Sequence, residues 1–220
     1  MDIENNIRIT AAVTEFVRQW MHGSEGGHDW WHIHRVRVMA KRIAEEEHAD
    51  VFIVELAALL HDISDPKFNG GDENAGPKIA EEILFSLNVD AEKIEHVKKI
   101  IQNVSFKGGS DKTFFKSKEL DVVQDADRLD AIGAIGIARA FNYGGFKNRE
   151  LYDPSVPPVM NMTKEEYRNS KGHTINHFYE KLLLLKDLMK TETGRRIAVE
   201  RHSYLLDYLD RFQKEWDGAE

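Results

Sequence analysis

The chain contains no cysteine. A disulfide scaffold, a thiolate zinc site, an iron–sulfur cluster and a cysteine nucleophile are therefore excluded, and any metal must take nitrogen and oxygen ligands. Basic residues are in the minority, 30 Lys and Arg against 38 Asp and Glu, for a formal net charge of −8. A protein built to hold a nucleic-acid backbone needs the opposite surplus to displace condensed counterions, so no nucleic-acid partner is expected. No run approaches the roughly 18 consecutive apolar residues of a membrane span, and MDIENNIRIT opens with acid and amide rather than a basic and then apolar leader. These absences predict a cytoplasmic chain with no membrane partner.

What is present is the composition of a folded domain, with 41% hydrophobic and 31% charged residues over 220 positions. One domain spanning 1–220 is the simplest account, since no repeat, linker or low-complexity tract divides it. Helical spacing dominates. Val13, Phe16, Val17 and Trp20 predict a first helix, and Ile33, Val36, Ala40, Ile43 and Ala44 a second over Trp31 to His48. DVFIVELAALLHDI, with Asp50 as N-cap, reads as a central helix packed on every side. Ile79 to Leu87 and Ile94 to Val104 give two more, the second with Asp90 as its cap, and Ser117 opens a long one through SKELDVVQDADRLDAIGAIGIARAF. Gly133 and Gly136 there permit a neighbouring helix to approach closely. Thr163 and Glu166 have capping-box spacing, and two amphipathic helices follow, through Ile175, Phe178, Leu182 and Leu185, then Leu205, Tyr208, Leu209, Phe212 and Trp216. The fold class is all-α. Segments 64–72, 106–116 and 143–162 interrupt the pattern and have the length of binding loops.

Asp62 and Asp127 are anomalous, because each lies in an apolar helical stretch where an unpaired carboxylate costs several kcal/mol. Arg128 or Arg35 can supply a compensating cation. So can a divalent metal, with His61 beside Asp62 and His32 on another helix completing the shell. The spacing His28 to His32 also matches the two histidines of a zinc protease, but Asp29 stands where the catalytic Glu belongs and Asp62 and Asp127 are left unexplained.

In that order on successive helices, His32, the His61-Asp62 doublet and Asp127 in DADRLDA resemble the HD-domain metal-dependent phosphohydrolases. HDWWHIHRV, LAALLHDI and HFYEKLLLL are similar more narrowly to a bacterial subgroup of nucleoside-triphosphate pyrophosphohydrolases. The resemblance implies an HD-type helical bundle, a metal-binding core over about 10–140 and additional C-terminal helices over about 163–217. It implies His32, His61, Asp62 and Asp127 as ligands of one divalent ion, Mn²⁺, Ni²⁺, Co²⁺, Fe²⁺ or Mg²⁺, with open coordination positions. Asn103 occupies the region where some relatives place histidines for a second metal. Asp65 falls where relatives place an acid that orients or deprotonates water, although a longer Glu is the expected residue there.

Phosphate binding by an acidic protein needs cations aimed locally. Arg35, one turn from His32, and Lys67, in the loop after Asp65, are the best placed, ahead of Lys107, Arg139, Lys147, Lys171 and His177. Arg128 is an alternative partner for Asp127, and His28 and Asp29 are candidate supports for the ligands or the leaving group. His34, His48, His96 and His202 read as surface or internally satisfied histidines, and Trp30 and Trp31 as packing residues before base-stacking ones. The expected activity is hydrolysis of (deoxy)nucleoside triphosphates to monophosphate and pyrophosphate. Its alternatives are a monophosphatase, a phosphodiesterase on cyclic or guanosine-polyphosphate nucleotides, and a non-catalytic nucleotide sensor. The aromatic C-terminal helices suggest a homodimer.

Overall fold

The computed structural model describes residues 3–21, 29–63, 74–104, 115–163, 166 and 172–219. Among them there are helices and no strand, as the spacing predicts. The chain forms two compact units, Met1–Asp127 and Arg128–Glu220.

In the first unit the helices are α1 (Ile3–Trp20), α2 (Trp30–Glu47), α3 (Val51–Leu60), α4 (Ala75–Ser86), α5 (Ala91–Val104) and α6 (Lys118–Asp130), the last of which runs on past Asp127. A ten-residue helix is marginal alone, so α3 owes its stability to packing. Eight of its residues are buried, and it contacts α1, α2 and α5. At about 1.5–3 kcal/mol for each large apolar side chain removed from water, this burial outweighs its weak nucleation. Asp50 is its N-cap, accepting from the amides of Phe52 at 3.0 Å and Ile53 at 3.1 Å. At the joint before it, His48 ends α2 in a left-handed conformation, φ 54°. The start of α6 holds this joint from outside. Lys118 Nζ donates to the carbonyl of Glu47 at 2.9 Å, and the amide of Asp50 donates to Glu119 at 3.2 Å. Ser117 caps α6 through the amide of Leu120 at 3.1 Å, in the role its sequence position predicts.

The second unit holds α7 (Gly133–Phe146), α8 (Thr174–Glu180), a 3₁₀ turn (Leu182–Leu188) and α9 (Glu192–Trp216). The long helix expected after Ser117 is broken. Gly133 takes φ +75°, α6 stops at Asp130, and Arg201 donates to the carbonyl of Leu129, which also accepts from the amide of Ile132 at 3.3 Å. Gly133 does admit a neighbouring helix, because a Cβ there would touch the Arg201 side chain at 3.0 Å. Gly136 serves the break instead, since its Cβ would fall 2.3 Å from the carbonyl oxygen of Ala131. The next expected helix is also two pieces, separated at Lys181 with φ −141°. Thr163 and Glu166 form the predicted capping box, with bonds of 2.7 and 3.2 Å. Segment 147–163 is anchored: Thr174 and Ile175 amides donate to the carbonyls of Glu150 and Leu151, and Asn176 donates to Val156.

Candidate metal centre

Three helices bring their polar residues to one end of α3. His32 is the third residue of α2, His61 is the C-cap of α3 and keeps helical dihedrals, Asp62 lies in the turn beyond, and Asp127 is one turn from the end of α6. His32 Nε2 is 3.5 Å from carboxylate oxygens of both Asp62 and Asp127. His61 Nε2 lies 3.6 Å from Asp62 and 3.9 Å from Asp127. The two imidazoles meet edge to face, with centroids 5.3 Å apart. Ligand atoms of His32, His61 and Asp127 all fall within 4.8 Å of one another.

These separations exceed a good hydrogen bond and suit donors sharing one ion at roughly 2.0–2.2 Å. The protonation pattern agrees. His61 Nδ1 is 2.8 Å from the carbonyl of Ala58, which can only accept, so Nδ1 carries the proton. That leaves Nε2, which is buried with no hydrogen-bond partner among the described residues, as the ring atom facing the carboxylates. Asp62 lies beside both histidines but outside the set of mutually close ligand atoms formed by His32, His61 and Asp127, and carboxylates gathered this way repel one another unless positive charge lies among them. The donor set fits a divalent ion that accepts mixed nitrogen and oxygen ligands.

Burial corrects one step of the sequence argument. The Asp62 side chain is 12% exposed, but that of Asp127 is 37% exposed, so it is not the desolvated acid its neighbours suggest. The fully buried carboxylate on α6 is Asp125, at 0%. Successive residues turn about 100° around a helix, so Asp125 enters the interior with Val122 and Ala126 while Asp127 faces the histidines.

Arg35 is partly buried on α2, one turn beyond His32. Asp65 and Lys67, and with them His28, Lys107 and Lys171, lie outside the described residues. Arg139 is committed elsewhere, paired with Asp130 at 2.8 Å, and Arg128 donates to the carbonyl of Leu188 at 3.1 Å. His177 is not a cation at neutral pH: burial, then Lys181 and Arg149, push it down to about 3. Asp29 is the N-cap of α2, accepting from the amide of His32 at 2.9 Å. The acid three residues before His32 is the signature that identifies such a cap. His96 is satisfied by Ser117 at 3.0 Å, as expected, whereas Trp31 is 61% exposed rather than packed.

The HD domain family model matches residues 30–132. YpgQ of Bacillus subtilis is 36% identical over 214 residues, which cover 94% of this chain and 95% of YpgQ. Its crystal structure in complex with ADP has a TM-score of 0.77 and covers 96% of both chains. An HD-superfamily hydrolase from Bacillus thuringiensis is 42% identical with a TM-score of 0.77, covering 96% of this chain and 98% of that one.

Proposed function

Because this chain belongs to the HD-domain superfamily of hydrolases, we propose that it is a metal-dependent nucleotide phosphohydrolase, cleaving (deoxy)nucleoside triphosphates between the α- and β-phosphates. The observation that carries the reading is the convergence of two imidazoles and two carboxylates at 3.5–3.9 Å. The complex of YpgQ with ADP supports a nucleotide as ligand.

His32, His61, Asp62 and Asp127 hold the ion. A divalent metal in such a site lowers the pKa of bound water and polarises a phosphoryl oxygen. The chain supplies positioning and charge. Ala58 fixes the His61 tautomer through Nδ1, and the exposed side of Asp127 leaves the centre approachable from solvent. Asp65 orients the attacking water and takes its proton, and Arg35 and Lys67 neutralise the phosphate oxygens and hold the chain of phosphates in line. Water adds to the α-phosphorus, the bond to the bridging oxygen breaks, and pyrophosphate leaves.

Incubation of the protein with a panel of nucleotides and each of Mn²⁺, Ni²⁺, Co²⁺, Fe²⁺ and Mg²⁺, followed by chromatography, tests this. The expected products are nucleoside monophosphate and pyrophosphate in equal amounts. Orthophosphate release identifies a monophosphatase, and turnover confined to cyclic or guanosine-polyphosphate nucleotides a different hydrolase. Saturable binding without product identifies a sensor.

A further inference from the structure

His32 is 1% exposed and occupies the third position of α2, where a helix has no internal partner for its backbone amide. The side chain of Asp29 supplies that partner, with its oxygen 2.9 Å from the nitrogen of His32, and the carbonyl of Asp29 accepts from Ile33 at 3.3 Å. Asp29 itself is extended, φ −106° and ψ 174°, so the chain enters the helix abruptly at this residue. The imidazole is thus built on a first turn that this side-chain bond helps to hold, together with the backbone bond from Ile33 to Asp29. If the side-chain bond is lost, the buried amide must find another partner, and unwinding the first turn to expose it swings the ring away from Asp62 and Asp127.

We propose that Asp29 is a positioning residue of the metal centre, fixing His32 through its backbone amide rather than by touching the ion. This rests on the reading of His32 as a ligand. A second cap in the same unit offers a comparison. Asp50 makes two equivalent bonds at the start of α3, but His61 lies at the opposite end of that helix.

The test is calorimetric titration of Mn²⁺ into the metal-free full chain, with the visible spectrum of the Co²⁺-loaded protein as a second readout. Asp29→Ala should weaken Mn²⁺ binding by about tenfold and alter the Co²⁺ bands. D29N and D29S, which keep a capping oxygen without the charge, should restore both. Asp50→Ala should lower stability while leaving Mn²⁺ affinity within about twofold of the parent. If His32→Ala abolishes binding while Asp29→Ala binds as the parent does, the positioning role is overturned and the ligand reading stands. Undiminished binding by His32→Ala overturns the ligand reading itself. If Asp29→Ala and Asp50→Ala weaken binding equally, Asp29 contributes only general stability and the proposal fails.

Discussion

Single side chains decide the chemistry, and Asp127 is the most informative of them. Its carboxylate lies beside both histidines yet reaches solvent, so under the proposed ligand set Asp127→Ala should abolish metal binding and activity while costing less than about 1 kcal/mol of stability in the metal-free protein. Metal titration and denaturant unfolding check the two halves separately. His177 carries a different expectation. It is neutral in the folded chain and is protonated below about pH 6.5 when unfolded, so the unfolded state binds more protons between pH 6.5 and about pH 3. Its contribution is present in full above pH 6.5 and is lost as pH falls through that window. With each unit worth about 1.4 kcal/mol, and part of the ring reaching solvent, the loss at pH 4.5 should be about 2 kcal/mol. Urea unfolding at pH 7 and 4.5 should show this difference in the parent and not in His177→Asn. At this scale the grouping of His32, His61 and Asp127 was legible in the sequence because an ordered set of histidines and acids is rare, whereas the burial of Asp125 was not. Neighbour hydrophobicity reports the whole helix, and only the rotation between residues 125 and 127 separates a core acid from one facing the histidines.

Among the elements, the break between α6 and α7 is the least forgiving feature. A methyl group at Gly136 would collide with the Ala131 carbonyl, which is backbone and cannot rotate aside. Gly136→Ala should therefore destabilise the protein by more than about 2 kcal/mol, although the same change in an ordinary helix interior is stabilising by up to about 1 kcal/mol. Thermal unfolding measures the sign directly. Apolar spacing on either side of the break continues in nearly the same phase, which is why periodicity alone joins residues 118–146 into one helix. The split at Lys181 escaped for the same reason. Caps formed by side chains were easier to read, and Asp50, Ser117 and the Thr163 pair all act where the sequence placed them.

Across the molecule, the proposed ligands are brought together only by folding, which would tie stability to metal. At a concentration of one hundred times Kd, a bound ion should stabilise the chain by about 2.7 kcal/mol, and a chelator should remove that increment without changing the helical spectrum at 25 °C. Calorimetric melting with and without Mn²⁺ measures it. The aromatic face of α9 that suggested a dimer packs only in part within its own unit, where Tyr208 stacks on Phe178, while Trp216 stacks on Phe212 of the same helix and stays 47% exposed, and Val199, Tyr204 and Leu206 are exposed as well. Homodimerisation remains a proposal for light scattering to decide. Helical class followed from composition and spacing, but the division at Asp127 did not, because it falls within a helix, Lys118–Asp130, rather than in a linker. Lys118 and Glu119 pin the first turn of α6 to the α2–α3 joint, and Gln124 pins its middle to the carbonyl of Asn103 at 2.7 Å, so the direction of this rod fixes where Asp127 sits. Nine residues at 1.5 Å give an arm of about 13 Å, so a tilt of roughly 5° would carry that carboxylate about 1 Å off target. Loosening the outer anchor by Lys118→Ala should therefore be felt as weaker Mn²⁺ capture in calorimetric titration.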